Sequence, residues 1–161
     1  MSSKGKDDLW IEVLNKSGTV MVNVAGGSMS PALNVGNKVY VELSHRASYR
    51  IGDIVVFPVA DSLMIHRIVS SLPTPKGKLF VHKGDKARVM AFGLVRQEQV
   101  LGKAVRVKRG SKEIPVSSLP QPGVIRLLSP LYSLLALERY VAIWLKKCLF
   151  RSLLLCHRIR T

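Results

Sequence analysis

Aromatic residues are scarce, 6% of the 161, so the chain carries no rich platform for stacking bases. Cysteine is rarer still. Cys148 and Cys156, eight apart in an apolar, basic stretch, form neither a disulfide framework nor a zinc signature and read as free thiols. The four histidines, His45, His66, His82 and His157, lack metal-ligand spacing, so no metal or other cofactor is expected. Acids are few: 10 Asp and Glu stand against 25 Lys and Arg, a formal charge of +15 that draws the chain to polyanions, whether nucleic acid or anionic lipid. Long apolar runs are also missing. The charge-free stretch 127–137 is 11 residues long and contains Pro130, whereas a membrane-spanning helix needs about 20. The first eight residues hold no apolar segment like a signal or anchor, which makes the cytoplasmic side the expected location. Against these absences, 47% apolar residues exclude wholesale disorder, and the length suits one domain with an appendage.

Along the chain, Asp7 and Asp8 precede Leu9, Trp10, Val13 and Leu14, and Gly18 follows, which predicts a short amphipathic helix within 1–18. From Thr19 the period becomes two, with Val20, Val22 and Val24 alternating until Gly26-Gly27 breaks the run. Further strand-like runs cover 38–43, 53–57, 62–71, 79–82 and 100–108, with turn chemistry at Gly36-Asn37, Gly52-Asp53, 73–77 and Gly84-Asp85. Pro58 is expected to close its run. No helical period appears between 25 and 110, so residues 19–110 are expected to form a compact, mainly β, antiparallel domain. Residues 111–123, with Pro115, Pro120, Pro122 and Gly123, read as a linker. Residues 124–161 are Leu-rich and hold seven basic residues against Glu138 alone. They predict a helical tail, in one or two helices, that packs on the domain or lies on an anionic membrane surface.

Ser28 follows two glycines at a strand end, in Gly26-Gly27-Ser28-Met29-Ser30-Pro31. A turn there presents the hydroxyl as a nucleophile and exposes the amide that helps bind an oxyanion; by itself it is equally a Gly-rich turn. His66 lies in the apolar run Met64-Ile65-His66-Arg67-Ile68-Val69, where a neutral imidazole can take a serine proton or can simply be a satisfied core histidine. Asp85, in the turn Lys83-Gly84-Asp85, can orient an imidazolium or act as a local cap.

In this order the boxes Ser28-Met29-Ser30-Pro31, Gly52-Asp53-Ile54-Val55-Val56-Phe57, His66-Arg67-Ile68-Val69, Lys83-Gly84-Asp85 and Gly102-Lys103-Ala104-Val105 resemble the signal peptidase I family. The likeness is to its Ser–His variant, found in the endoplasmic reticulum, archaea and some bacteria, and it covers residues 19–108. It implies a signal-peptidase and SOS-repressor-like β-domain. The implied activity is serine endopeptidase cleavage of an extended precursor peptide or protein after a small residue. It also implies Ser28 as nucleophile, His66 as base, Asp85 as the acid behind it, and the Ser28 amide in the oxyanion hole. The sequence departs from the family at Gly36-Asn37, where Gly-Asp is usual, and in lacking a second aspartate after Lys83-Gly84-Asp85. It also departs in having no N-terminal anchor and in its basic tail, which either replaces that anchor or docks a partner. The self-cleaving half of SOS-type repressors is the related alternative, but it uses a serine–lysine pair and a helix-turn-helix. Here His66 holds the base position and only about eighteen residues precede the first strand, too few for that domain. Nucleic acid is therefore not the expected partner. A non-catalytic peptide-binding module, with Ser28, His66 and Asp85 as relics, is the other alternative.

Overall fold

The alternating valines after Gly18 form strand β1 (Thr19–Asn23), which pairs antiparallel with β2 (Lys38–Leu43) in a computed structural model that describes residues 18–43, 48–88, 90–121 and 123–158. The helix expected within 1–18 lies outside the described residues. Four more of the expected runs become β3 (Ile54–Val59), β4 (Ser62–Thr74), β5 (Gly77–Lys83) and β7 (Gly102–Arg109). Two short strands, β6 (Gly93–Arg96) and β8 (Lys112–Pro115), complete an eight-stranded antiparallel sheet. Its order is β1-β2-β7-β3-β4-β5-β6, with β8 on β7.

Pro58 does not end its strand; it sits inside β3 opposite Leu63. The Val56 carbonyl accepts from Leu101 N–H, so the Pro58 nitrogen points the same way, past the start of β7, where a missing N–H costs no ladder bond. The stretch read as a linker is likewise structured. Gly110, at φ +59°, turns β7 back so that Arg106 to Arg109 pair with Pro115 to Lys112, and Val116 and Leu119 are buried just beyond. Pro115 is the last paired residue of this hairpin, opposite Arg106.

β4 is the pivot of the sheet. Its first half, Ser62 to Arg67, pairs with β3 along one edge, and Arg67 to Thr74 pair with β5 along the other. The two halves therefore leave opposite edges unpaired by a neighbouring strand. One core lies under the Ser28 turn and joins Met29, Leu33, Val39, Ile54 and Val107. A second joins Phe57, Ile68, Phe80 and Val95.

A third core forms where the tail returns. The tail is one helix, α1 (Val124–Arg158), and Pro130 does not break it. Tyr132 and Ala136 are buried against Val69, Val81 and Phe92, Ser133 hydrogen-bonds Ser70, and the Arg139 guanidinium stacks 4.3 Å from the Phe92 ring centre. No helix among the described residues is long and apolar enough to cross a membrane.

Candidate active site

The serine box folds as a turn pinned from below. Met29, Ala32 and Leu33 are fully buried, Arg109 donates to the Ala32 carbonyl at 2.6 Å, and Val24 N–H bonds Asn37 O at 2.9 Å. With those side chains committed to the core, Ser28 at the start of the turn is left exposed. The Ser30–Pro31 peptide is cis.

Gly84 lies between the Ser28 turn and the His66 ring. Lys86 N–H donates to Ser28 O at 2.9 Å, tying the 84–88 turn to the serine turn. A Cβ on Gly84 would stand 2.6 Å from Ser28 O, 3.0 Å from Ser28 Cβ and 3.2 Å from His66 Nε2. Ser28 Cβ and His66 Nε2 thus both border the space that a side chain at 84 would fill. The register explains this placement: Arg67 pairs with Lys83 and Ile68 with His82, so the next pair in the same register sets His66 opposite Gly84.

The other face of the His66 ring departs from the implied triad. Asp85 does not stand behind it. Both Asp85 carboxylate oxygens accept from Arg67, Oδ1 from Nε at 2.9 Å and Oδ2 from Nη2 at 2.7 Å. This bidentate ion pair is buried, with side chains 0% and 2% exposed, and Arg67 also donates to Gly52 O at 2.8 Å. Instead, His66 Nδ1 faces His82 Nδ1 at 3.0 Å. His82 opposes Ile68, and His66, two residues before Ile68, points to the same face, so the rings are diagonal neighbours. Phe57 packs 4.6 Å from the His82 ring centre and 6.5 Å from that of His66.

Burial lowers the pKa of His66 below its ordinary value; the Asp85 charge opposes that shift and Lys83 adds to it. Burial, followed by the neighbouring His66 charge, pushes His82 down to about 4. In both rings burial favours the neutral form, in which an imidazole nitrogen can accept a proton or a hydrogen bond. Lys83 donates instead to the Gly84 and Ala87 carbonyls within its own turn.

The structure adds Arg67 and His82 to this cluster, neither of which the family resemblance implies. The signal for His82 was present, since it ends the apolar run Leu79-Phe80-Val81 as His66 interrupts its own; the signal for Arg67 was a cation in an otherwise apolar strand.

A groove of about 610 Å³ leads to Ser28. Val22, Asn23 and Val24 form one wall, Leu63, Met64 and Ile65 the other. β1 is an edge of the sheet, and β5 does not reach β4 before Arg67, so strand edges flank a mostly apolar channel.

Comparison with known proteins gives two findings. The model of a family described as "Peptidase S24-like" matches residues 3–105. Over 90 residues the chain is 33% identical to the signal peptidase complex catalytic subunit SEC11C of human, mouse and dog, covering 54% of this chain and 47% of each relative. The chain thus spans about half the length of these curated relatives.

Proposed function

The chain belongs to the Peptidase S24-like family, and on that premise we propose that it is a serine endopeptidase of signal-peptidase type, with Ser28 as nucleophile and His66 as general base. The observation that carries this reading is the convergence of Ser28 and His66 Nε2 over Gly84 at the end of the groove. Ser28 Oγ attacks the scissile carbonyl while His66 Nε2 takes its proton. The Ser28 amide stabilises the oxyanion, and His66 then returns the proton to the leaving amine. The substrate is an extended precursor peptide added as a strand between β1 and the first half of β4, which leaves its carbonyls facing Ser28. Walls built from Val22, Val24, Leu63 and Ile65 favour small apolar side chains beside the cut.

A second part of the reading concerns location. Residues 124–161 carry seven basic residues and one acid, a formal charge of +6, and we infer that they hold the enzyme at an anionic membrane surface. Leu127, Leu131, Leu134, Val141 and Leu145 are exposed along α1 and supply apolar insertion.

The test of catalysis is cleavage of an internally quenched peptide containing Ala-x-Ala by full-length protein. Ser28→Ala is expected to lower kcat by ~10³-fold or more with the fold intact. Activity is expected to rise with pH as His66 loses its proton, with a midpoint below the usual 6.5 because burial disfavours the imidazolium. Wild-type turnover by Ser28→Ala sinks the assignment.

A further inference from the structure

A base that takes a serine proton needs its own N–H held on the opposite nitrogen, and in most such sites a carboxylate holds it. Here the carboxylate that the family resemblance implies, Asp85, is spent. Both oxygens of Asp85 are bound to Arg67, and the stretch Lys86-Ala87-Arg88-Val89-Met90-Ala91 supplies no second acid. The atom that does face His66 Nδ1 is His82 Nδ1, at 3.0 Å.

We propose that His82 is the positioning residue of this active site, accepting a hydrogen bond from His66 Nδ1–H and thereby fixing the tautomer whose Nε2 is free to take the Ser28 proton. The inference rests on the serine-peptidase reading and deepens it.

Proton bookkeeping admits one arrangement during the reaction. Once His66 has accepted the Ser28 proton, both of its nitrogens carry hydrogen, so only His82 can be the acceptor between the two Nδ1 atoms. His82 then keeps its own single proton on Nε2, and no proton passes between the rings. Had His82 been a cation, both Nδ1 atoms would carry hydrogen and the contact would be repulsive. Its burial prevents that, keeping it neutral down to a pH of about 4.

The ring is also held in place. Phe57 lies on one side, and Gly93, paired with His82 across β5 and β6, has no Cβ where one would come within 2.6 Å of His82 Nε2 and Cε1. Glycine at 93 gives the imidazole its space, as glycine at 84 does for Ser28 and His66.

A neutral acceptor stabilises an imidazolium less than a carboxylate would, so this pair tunes His66 to remain a free base into mildly acidic conditions. The charged groups that act on His66 are Asp85, which favours its cation, and Lys83, which opposes it.

The experiment has two arms on the full-length protein. In the first, nitrogen NMR of histidine-labelled wild type at pH 7 is expected to show His66 protonated on Nδ1 and bare on Nε2. A proton on Nε2 overturns the proposal, and this arm needs no variant to fold. In the second, His82→Leu is expected to lower kcat for the Ala-x-Ala peptide by at least about tenfold with KM nearly unchanged. His82→Asn, whose Oδ1 occupies the place of Nδ1 and accepts the same bond, is expected to recover activity to within a few-fold. His82→Asp is expected to move the midpoint of the pH–rate profile upward, which a merely structural role would not do. Wild-type kcat and pH midpoint in His82→Leu, with Ser28→Ala inactive, overturn the positioning role while leaving the peptidase reading standing. Retained activity in Ser28→Ala brings down the peptidase reading itself.

Discussion

At the scale of single residues, a tight constraint within the candidate site falls on an atom that is missing. Gly26 and Gly27 precede Ser28 and look like the critical glycines, yet a Cβ on either meets nothing within 4 Å. Gly84 is the one under pressure, because the contact at 2.6 Å is with backbone, Ser28 O, which no rotamer change relieves. Gly84→Ala must therefore push the 84–88 turn away from the serine turn and open the Ser28–His66 approach. A displacement of about 1 Å at reacting groups costs on the order of 10²-fold. The expected result is a fall of that size in kcat for Gly84→Ala, against near-normal turnover for Gly27→Ala. Equal activity of the two variants in the peptide assay would show that the close approach at Gly84 has no bearing on catalysis.

At the scale of elements, the site is assembled by joining β4 to the turn after β5, and the Arg67–Asp85 pair makes that joint. Arg67 is fully buried, so its charge is tolerated only with its partners Asp85 and Gly52 O in place. Removing one member of such a pair costs about 3–5 kcal/mol, whereas replacing both by apolar residues costs far less. Asp85→Asn is accordingly expected to lower the free energy of unfolding by about that amount in a urea titration. The double replacement Arg67→Met with Asp85→Leu is expected to be more stable than Asp85→Asn. If Asp85→Asn instead leaves stability unchanged and only slows catalysis, Asp85 acts on His66 and not as a clamp.

The same joint shows where reading the chain in one dimension succeeds and where it stops. Strands with strong alternation or long apolar runs were legible, and β2 falls on the very residues 38–43 that the pattern marks. β6 and β8 were not, because four-residue segments such as Gly93–Arg96 and Lys112–Pro115 carry too little pattern and exist only because a neighbour pairs with them. Ser28 and His66 stand out by their settings, each a polar group at a break in apolar periodicity. The facing of His66 and His82 is set by the β4–β5 register and its shift between Ile68 and Ser70, which no local pattern encodes.

For the whole molecule, α1 divides into a docked face and an exposed flank. Leu128, Tyr132, Leu135, Ala136 and Arg139 cover Val69, Val81 and Phe92. Leu127, Leu131, Leu134, Val141 and Leu145, with Glu138 among them, recur at alternating spacings of three and four residues along a flank beside the docked face and stand exposed, Leu127 by 80%. Packing on the domain and lying on a surface are therefore not alternatives, since one helix has a stripe for each. This division decides how the membrane reading must be tested. Cutting the chain at Gly123 would strip the cover from Val69, Val81 and Phe92, and its loss of binding would be confounded with loss of fold. Substituting the outer stripe alone, as Leu127→Ser with Leu134→Ser and Val141→Ser, leaves the docked face intact. Each basic residue near an anionic leaflet contributes about 1 kcal/mol, an attraction that salt screens. Wild-type protein is therefore expected to float with vesicles containing phosphatidylglycerol, to remain behind with phosphatidylcholine alone, and to be partly released by high salt. The triple variant is expected to float poorly at every salt concentration while keeping its unfolding midpoint, because the apolar contribution is gone and the core is not. If the triple variant floats as well as the wild type, the outer stripe does not enter the bilayer; if neither binds anionic vesicles, the +6 charge of the tail serves some other anionic partner.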